Sequence, residues 1–171
     1  MNKLLSKSTL LFLIIFSLFS FGCSRVPSDK SMIEHFRAKE ADFNKLLTMA
    51  REDKEIEKFT PEAVYKNTND GKKDLLKTDI PSERIDEYHR LFQQTGVKGI
   101  TKQADGGYSF DYWDGRPGLD PIDSAFKYYL YAETPPAPLL DSLEDSSKLP
   151  KDDFAYKQIS DNWYLAYILL D

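Results

Sequence analysis

The chain changes its hydrophobic period once, at Gly96, and this change limits its fold more than any other feature. Before Gly96, apolar residues recur at the three- and four-residue spacing of amphipathic helices. After it, apolar and polar residues alternate as they do in half-buried strands. Helices followed by strands with short or medium connections are typical of an α+β domain with an antiparallel sheet. We therefore expect two N-terminal helices followed by an antiparallel meander sheet of four to six strands.

The first helix is expected to open at Ser31, which forms a Ser-x-x-Glu capping box with Glu34, and to end at about residues 51–54. Its buried stripe comprises Ile33, Phe36, Phe43, Leu47 and Ala50. The second helix is expected to open near residues 81–82 and to end at Gly96, a favourable helix C-cap. Its buried stripe comprises Ile85, Tyr88, Leu91 and Phe92.

A short strand over 59–66 precedes the second helix, and Pro61 restricts it to a sheet edge or a strand start. The pair Asp105-Gly106 predicts a hairpin between strands at 98–103 and 107–113. The pattern predicts further strands at 125–133, 154–159 and 163–170. The last of these is apolar on both faces, so we expect it to lie centrally in the sheet.

Residues 1–22 have the form of a secretory signal peptide, because lysines precede an apolar run of about a dozen residues. That run is shorter than the roughly 20 apolar residues that a membrane-spanning helix requires. The segment ends in Gly22 followed by Cys23. A small residue directly before a cysteine resembles the lipobox of bacterial lipoproteins. The resemblance implies that the Cys23 sulfur receives a diacylglyceryl group and that the new amino group is acylated with a fatty acid such as palmitate.

Ser20 and Phe21 depart from the lipobox, which usually has Leu and a small residue at these positions. An ordinary cleaved signal and an uncleaved anchor therefore stay open as alternatives. Cys23 is the only cysteine and can form no intramolecular disulfide, which favours lipidation of an exported protein. We expect a signal peptide over 1–22, a lipidated cysteine and short tether over 23–30, and a single α+β domain over 31–171.

Without residues 1–22, which contain two lysines and no acidic residue, 149 residues remain and the formal charge changes from −5 to −7. That length suits one domain with its own core. The acidic balance argues against nucleic acid as a partner, because such binding needs a basic surface. The expected partners are the membrane, through the lipid on Cys23, and a protein or a glycan. Ser24, which is not Asp, resembles the sorting class of outer-membrane lipoproteins that face the periplasm in Gram-negative cells.

The strands carry more aromatic residues than one core face needs. We expect Phe126, Tyr128 and Leu130 to face the core, which turns alternate residues outward. The candidate partner surface on the outward face comprises Trp113, Tyr129, Tyr131 and Tyr164. Tyr and Trp are enriched at interfaces. Ordinary cross-strand packing with wet hydroxyls explains the same pattern, and both interpretations stay open.

The sequence predicts no catalytic residue, metal or cofactor. It contains no G-x-S-x-G motif or phosphate-binding loop, and His35 and His89 lack neighbours at metal-binding spacing. Four acidic residues offer the oxygen ligands of a calcium site, although Asp beside Gly and Pro is also usual turn chemistry. These residues are Asp111, Asp114, Asp120 and Asp123. Accidental carboxylate pairs leave enzymatic activity open, but we expect a protein that is not an enzyme.

Over residues 31–168, and most clearly in its C-terminal half, the chain resembles a group of short, functionally uncharacterised bacterial proteins, many of them lipoproteins. The resemblance lies in Leu91-Phe92, Gly96, Gly99-Ile100, Gly118-Leu119, Lys127-Tyr128-Tyr129, Leu140-Asp141-Ser142-Leu143, Tyr156-Lys157-x-Ile159 and Asn162-Trp163-Tyr164-Leu165. The group tends to have Gly where this chain has Tyr128, and it implies no functional residue.

The expected function is that of a lipid-anchored cell-envelope protein that acts as a non-enzymatic binding or accessory module. Two alternatives stay open: an inhibitor or immunity-type protein against a basic envelope enzyme, because opposite charge speeds encounter, and a small cell-wall or glycan hydrolase.

Overall fold

The structure is a computed structural model, and it describes residues 26–67, 73–75, 80–115, 124–145, 149 and 153–170. The described elements are α1 (Asp29–Glu52), β1 (Ile56–Phe59), β2 (Val64–Asn67), β3 (Lys73–Leu75), α2 (Ser82–Thr95), β4 (Gly99–Lys102), β5 (Tyr108–Gly115), β6 (Ser124–Tyr131), β7 (Phe154–Ser160) and β8 (Trp163–Leu170). All of these strands join one antiparallel sheet in the order β3-β2-β1-β4-β5-β6-β8-β7. The α+β class with two helices is therefore confirmed.

The strand count differs from the prediction, since the described residues contain eight strands, of which three lie between the helices. The single strand expected over 59–66 is two strands, because the chain turns between Thr60 and Ala63. The Thr60 amide donates to the Ala63 carbonyl oxygen at 2.8 Å. Pro61 lies inside this turn, where its missing N–H and fixed φ carry no penalty.

The sheet is not a simple meander, because β8 lies between β6 and β7. Both neighbours are antiparallel to β8 and therefore parallel to each other, so the chain returns to the opposite end of the sheet between the end of β6 and the start of β7. This order gives β8 a strand on each side, as predicted. Its first six residues, 163–168, are all buried, and an interior position suits a strand that is apolar on both faces.

The helices begin and end for the expected chemical reasons, with one shift. Ser28, three residues before the predicted start, caps α1 by accepting the Ser31 amide at 3.1 Å. Helix α2 ends at Gly96, whose φ of 67° is left-handed, as predicted for its C-cap.

Both helices pack on one side of the sheet, which we call the covered face. Its central row runs through Phe59, Ile100, Phe110, Tyr129 and Leu165, which follow one another in register. From α1, the Phe43 ring lies 4.7 Å from that of Tyr129. From α2, the Tyr88 ring stacks on Phe59 at 4.1 Å. We call the opposite side of the sheet the far face. The buried core among the described residues lies between residues 29 and 168.

Candidate functional site

The four aromatic residues of the predicted partner surface do not share a face. Tyr129 is completely buried on the covered face, and its hydroxyl donates to the Met32 carbonyl oxygen at 3.0 Å. Tyr131 packs on Trp163 of the same face, with ring centroids 5.5 Å apart. Tyr164 lies on the far face and is only 1% exposed. The prediction of one outward surface is therefore wrong.

The error arises because the expected orientation of β6 is reversed. Lys127, Tyr129 and Tyr131 face the helices, and Phe126, Tyr128 and Leu130 face the far side. Lys127 is fully buried. Its charge is compensated there, because its ammonium donates to Asp29 Oδ1 at 2.7 Å and to the Pro27 carbonyl oxygen at 2.8 Å.

Asp29 joins three distant segments of the chain. Besides Lys127, its carboxylate accepts the Leu143 amide at 2.9 Å and lies 3.3 Å from Lys157 Nζ. Burial disfavours the charged carboxylate, but the hydrogen bonds from Lys127 and Leu143 and the two lysine charges outweigh it and hold the pKa of Asp29 below its usual value. The start of α1 is thereby fixed to β6 and to the β6–β7 connection.

Trp113 also departs from the expected alternation. A β-bulge between Asp111 and Trp113 shifts the register, so that Asp111 pairs with Tyr128 and Trp113 pairs with Lys127. The Trp113 ring lies over Gly115, where an added Cβ would stand 2.7 Å from it. Trp113 both contacts the covered core and lines a groove on the far face.

This far-face groove is the candidate site. It is open to solvent and has a volume of about 580 Å³, which falls within the 300–1,000 Å³ range typical of small-molecule sites. Phe126 and Leu170, two of the three exposed large hydrophobic side chains in the described residues, lie in it. The third, Leu139, lies outside the groove lining.

The polar end of the groove is built on β1, on β5 and on Lys98, which directly precedes β4. Asp111 Oδ2 lies 3.6 Å from Lys58 Nζ, and Lys98 is hydrogen-bonded to Asp114. Burial raises the pKa of Asp111, and Lys58 only partly offsets this effect. The hydrogen bond from Lys98 lowers the pKa of Asp114. The pKa values of the two carboxyl groups are therefore shifted in opposite directions.

The apolar end of the groove is built on β6, β8 and β7. Phe126, Ile168 and Phe154 follow one another in register across these strands. Phe126 is 41% exposed and Leu170 is 37% exposed. Tyr128 lies between the two ends, and burial raises the pKa of its hydroxyl, which keeps it neutral.

The histidines serve packing in this structure. His35 Nε2 lies 2.7 Å from the Thr95 carbonyl oxygen and links α1 to α2. The His89 ring contacts Phe59 edge-on at 6.3 Å.

Within the described residues, no cluster of three His, Cys, Asp or Glu side chains could hold a metal. Of the acidic residues considered for calcium, Asp120 and Asp123 lie outside those residues, as does Cys23.

Sequence reasoning missed Phe126, Leu170 and Lys58 as groove residues. The signal that could have identified the first two was the alternation of residues within β6 and β8. An alternating strand can face the core in either of two ways, and a charged residue at Lys127 favoured the wrong one.

No described helix is both long and apolar enough to cross a membrane. Comparison of the chain with protein-family models, curated proteins and solved structures gives no match.

Proposed function

We propose that this protein is a lipid-anchored binding module of the bacterial cell envelope and that the far-face groove is its ligand site. The observation that carries the proposal is the composition of the groove, where exposed apolar side chains adjoin a small set of charged groups. Binding sites for small molecules typically combine a largely apolar lining with a few polar groups that orient the ligand.

The anchor in this proposal is Cys23, which precedes Asp29 by six residues. Six residues span at most about 22 Å. The buried contacts of Asp29 therefore support a module held close to its membrane in a restricted orientation. If Cys23 carries the lipid, Cys23→Ser should abolish incorporation of labelled palmitate, because oxygen is the wrong nucleophile for the transfer. Incorporation that persists in Cys23→Ser would contradict the anchor.

The groove is tested by affinity capture from a cell-envelope extract with the domain 24–171, which contains the entire described core. Phe126→Ser removes an exposed apolar side chain inside the groove, and Leu139→Ser removes a comparable one outside it. We expect Phe126→Ser to lose the captured component and Leu139→Ser to retain it. Equal capture by both variants would refute the groove as the site. A basic protein captured equally by both variants would instead favour the inhibitor or immunity-type alternative.

One observation supports the hydrolase as a second candidate. Asp111 has a raised pKa and Asp114 a lowered one within the same groove, and environments that separate two carboxyl pKa values are suited to an acid and its ionised partner. If the protein hydrolyses a glycan, Asp111→Asn should reduce turnover by about 10²-fold or more. Unchanged release of soluble sugar from wall material would exclude this role for Asp111.

A further inference from the structure

The far-face groove is divided into a charged part and a hydrocarbon-like part. Lys58, Lys98, Asp111 and Asp114 line one end. Phe126, Phe154, Ile168 and Leu170 line the other. We infer that the groove binds an amphiphile with one acyl chain and a charged head group. This inference rests on the proposed function and specifies the ligand class of the same site.

The length of the apolar end suits the greater part of one acyl chain. It extends from β6 across β8 to β7, which is two strand spacings. At about 4.8 Å per spacing this distance is about 10 Å. One leaflet of a bilayer hydrocarbon core, which an acyl chain fills, is about 15 Å thick, so the apolar end covers roughly two thirds of one chain.

The chemistry of the two ends favours an acyl chain over a sugar. Phe126, Ile168 and Leu170 have no hydrogen-bonding group in their side chains, so sugar hydroxyls placed on them would lose their partners in water. At the other end, the ammonium groups of Lys58 and Lys98 alternate with two carboxyl groups. This alternation suits a compact head group that is charged and accepts or donates hydrogen bonds.

The apolar end also lies at the anchored end of the domain. Phe126 is the chain neighbour of Lys127, whose ammonium contacts the Pro27 carbonyl oxygen and Asp29. The tether residues before Asp29 therefore start beside the strand that carries Phe126. A lipid on Cys23 would bring this end of the groove within reach of the bilayer, which is a source of acyl amphiphiles.

The two tryptophans of the chain allow a direct test. Trp113 lines the groove, and Trp163 is 4% exposed in the core of the covered face. Bromine quenches tryptophan fluorescence only at short range, so a brominated fatty acid, added below its micelle concentration to the domain 24–171, reports contact with Trp113. We expect saturable quenching of the wild type and little quenching of Trp113→Phe. Phe126→Ser should weaken the apparent affinity about tenfold or more, and Leu139→Ser should leave it unchanged.

Other outcomes would overturn the inference. Equal quenching of wild type and Trp113→Phe would place the chain away from the groove. Quenching by vesicles of brominated phospholipid, without quenching by the monomeric fatty acid, would indicate contact with a membrane surface instead. If the fatty acid fails to bind while Phe126→Ser still loses the component captured from envelope extract, the acyl ligand is wrong and the groove function stands. If Phe126→Ser and Leu139→Ser capture the envelope component equally, the acyl ligand and the groove as the ligand site are both wrong.

Discussion

Two adjacent residues of β6 show how differently the two faces of the sheet are built. Lys127, on the covered face, has no exposed surface, whereas Phe126, on the far face, is 41% exposed. Hydrophobicity alone predicts the opposite arrangement. The covered face accepts a charged side chain because Asp29 and the Pro27 carbonyl oxygen bind its ammonium. The far face leaves a phenyl ring accessible within a groove, where a ligand can reach it.

Under the proposed function, the covered face serves stability and the far-face groove serves binding. Substitutions on the covered face should therefore destabilise the fold strongly, and substitutions in the groove should alter stability little.

The largest contrast is expected between the two tryptophans. Trp163 lies in the covered core, and its indole N–H donates to Asn44 Oδ1 at 3.2 Å. Trp163→Ala should lower the free energy of unfolding by about 3–5 kcal/mol. Trp113→Ala removes a half-buried ring and should cost at most about 1.5 kcal/mol. Urea denaturation measures both, and equal losses would contradict the division between the faces.

The buried Lys127 is expected to show the next largest effect on stability. Removing one partner of a buried ion pair typically costs about 3–5 kcal/mol because the other charge stays buried. We expect Lys127→Met to cost about 3 kcal/mol, the lower limit, because Lys157 still lies 3.3 Å from Asp29. Urea denaturation provides the measurement. Loss below about 1 kcal/mol would mean that the pair contributes little to the packing of α1 on the sheet.

The pH dependence of this pair follows from the lowered pKa of Asp29, whose ordinary value is 3.8. A carboxyl group with a lower pKa in the folded state stabilises the protein above its unfolded pKa. This stabilisation is lost as pH falls below about 3.8 through the folded value. Asp29→Asn should therefore be less stable than the wild type at neutral pH, and the difference should narrow in acid. A constant difference across this range would contradict the lowered pKa.

A smaller effect is expected from the hydroxyl of Tyr129, which the sequence predicts to be in water and the structure places on Met32. Tyr129→Phe should cost about 0.5–1.5 kcal/mol, the usual net value of one hydrogen bond. A thermal melt of the variant provides the measurement. Unchanged stability would mean that the hydrogen bond to Met32 contributes nothing to the free energy of unfolding, as expected for a hydroxyl exposed to water.

The smallest effect, with the opposite sign, is expected for Asp111→Asn in the groove. Because the pKa of Asp111 is raised in the folded protein, folding takes up protons and stability falls as pH rises from about 3.8 through that higher value. The variant lacks this pH-dependent loss of stability. At pH 7 its free energy of unfolding should therefore equal that of the wild type or exceed it by up to about 0.5 kcal/mol, the usual range for surface changes. Melting temperatures measured from pH 3 to pH 8 test the sign. A less stable variant at pH 7 would assign Asp111 a structural role through Lys58.

Local signals in the sequence predicted much of the fold. Asp105-Gly106 predicted the β4–β5 hairpin, and Gly106 adopts a φ of 88° there. Gly96 predicted the end of α2, and the apolar segment Trp163–Leu170 matches the bounds of β8. These features depend on residues close together in the chain, so their chemistry can be read directly. The lipid anchor at Cys23 is likewise a local prediction, which awaits its palmitate test.

By itself, the sequence determined the α+β class, both helices and the positions of the main strands, because periodicity and turn chemistry act within a few residues. Only the tertiary structure decided which face of β6 meets the helices and that β8 lies between β6 and β7. When both faces of a strand carry aromatic rings, the sequence does not show which face is buried. In β6 the buried face is decided by Lys127, whose ammonium binds Asp29. The partner of Lys127, Asp29, is 98 residues away in the chain. A contact over that separation exists only after the chain has folded, and the same contact turns Phe126 toward the groove.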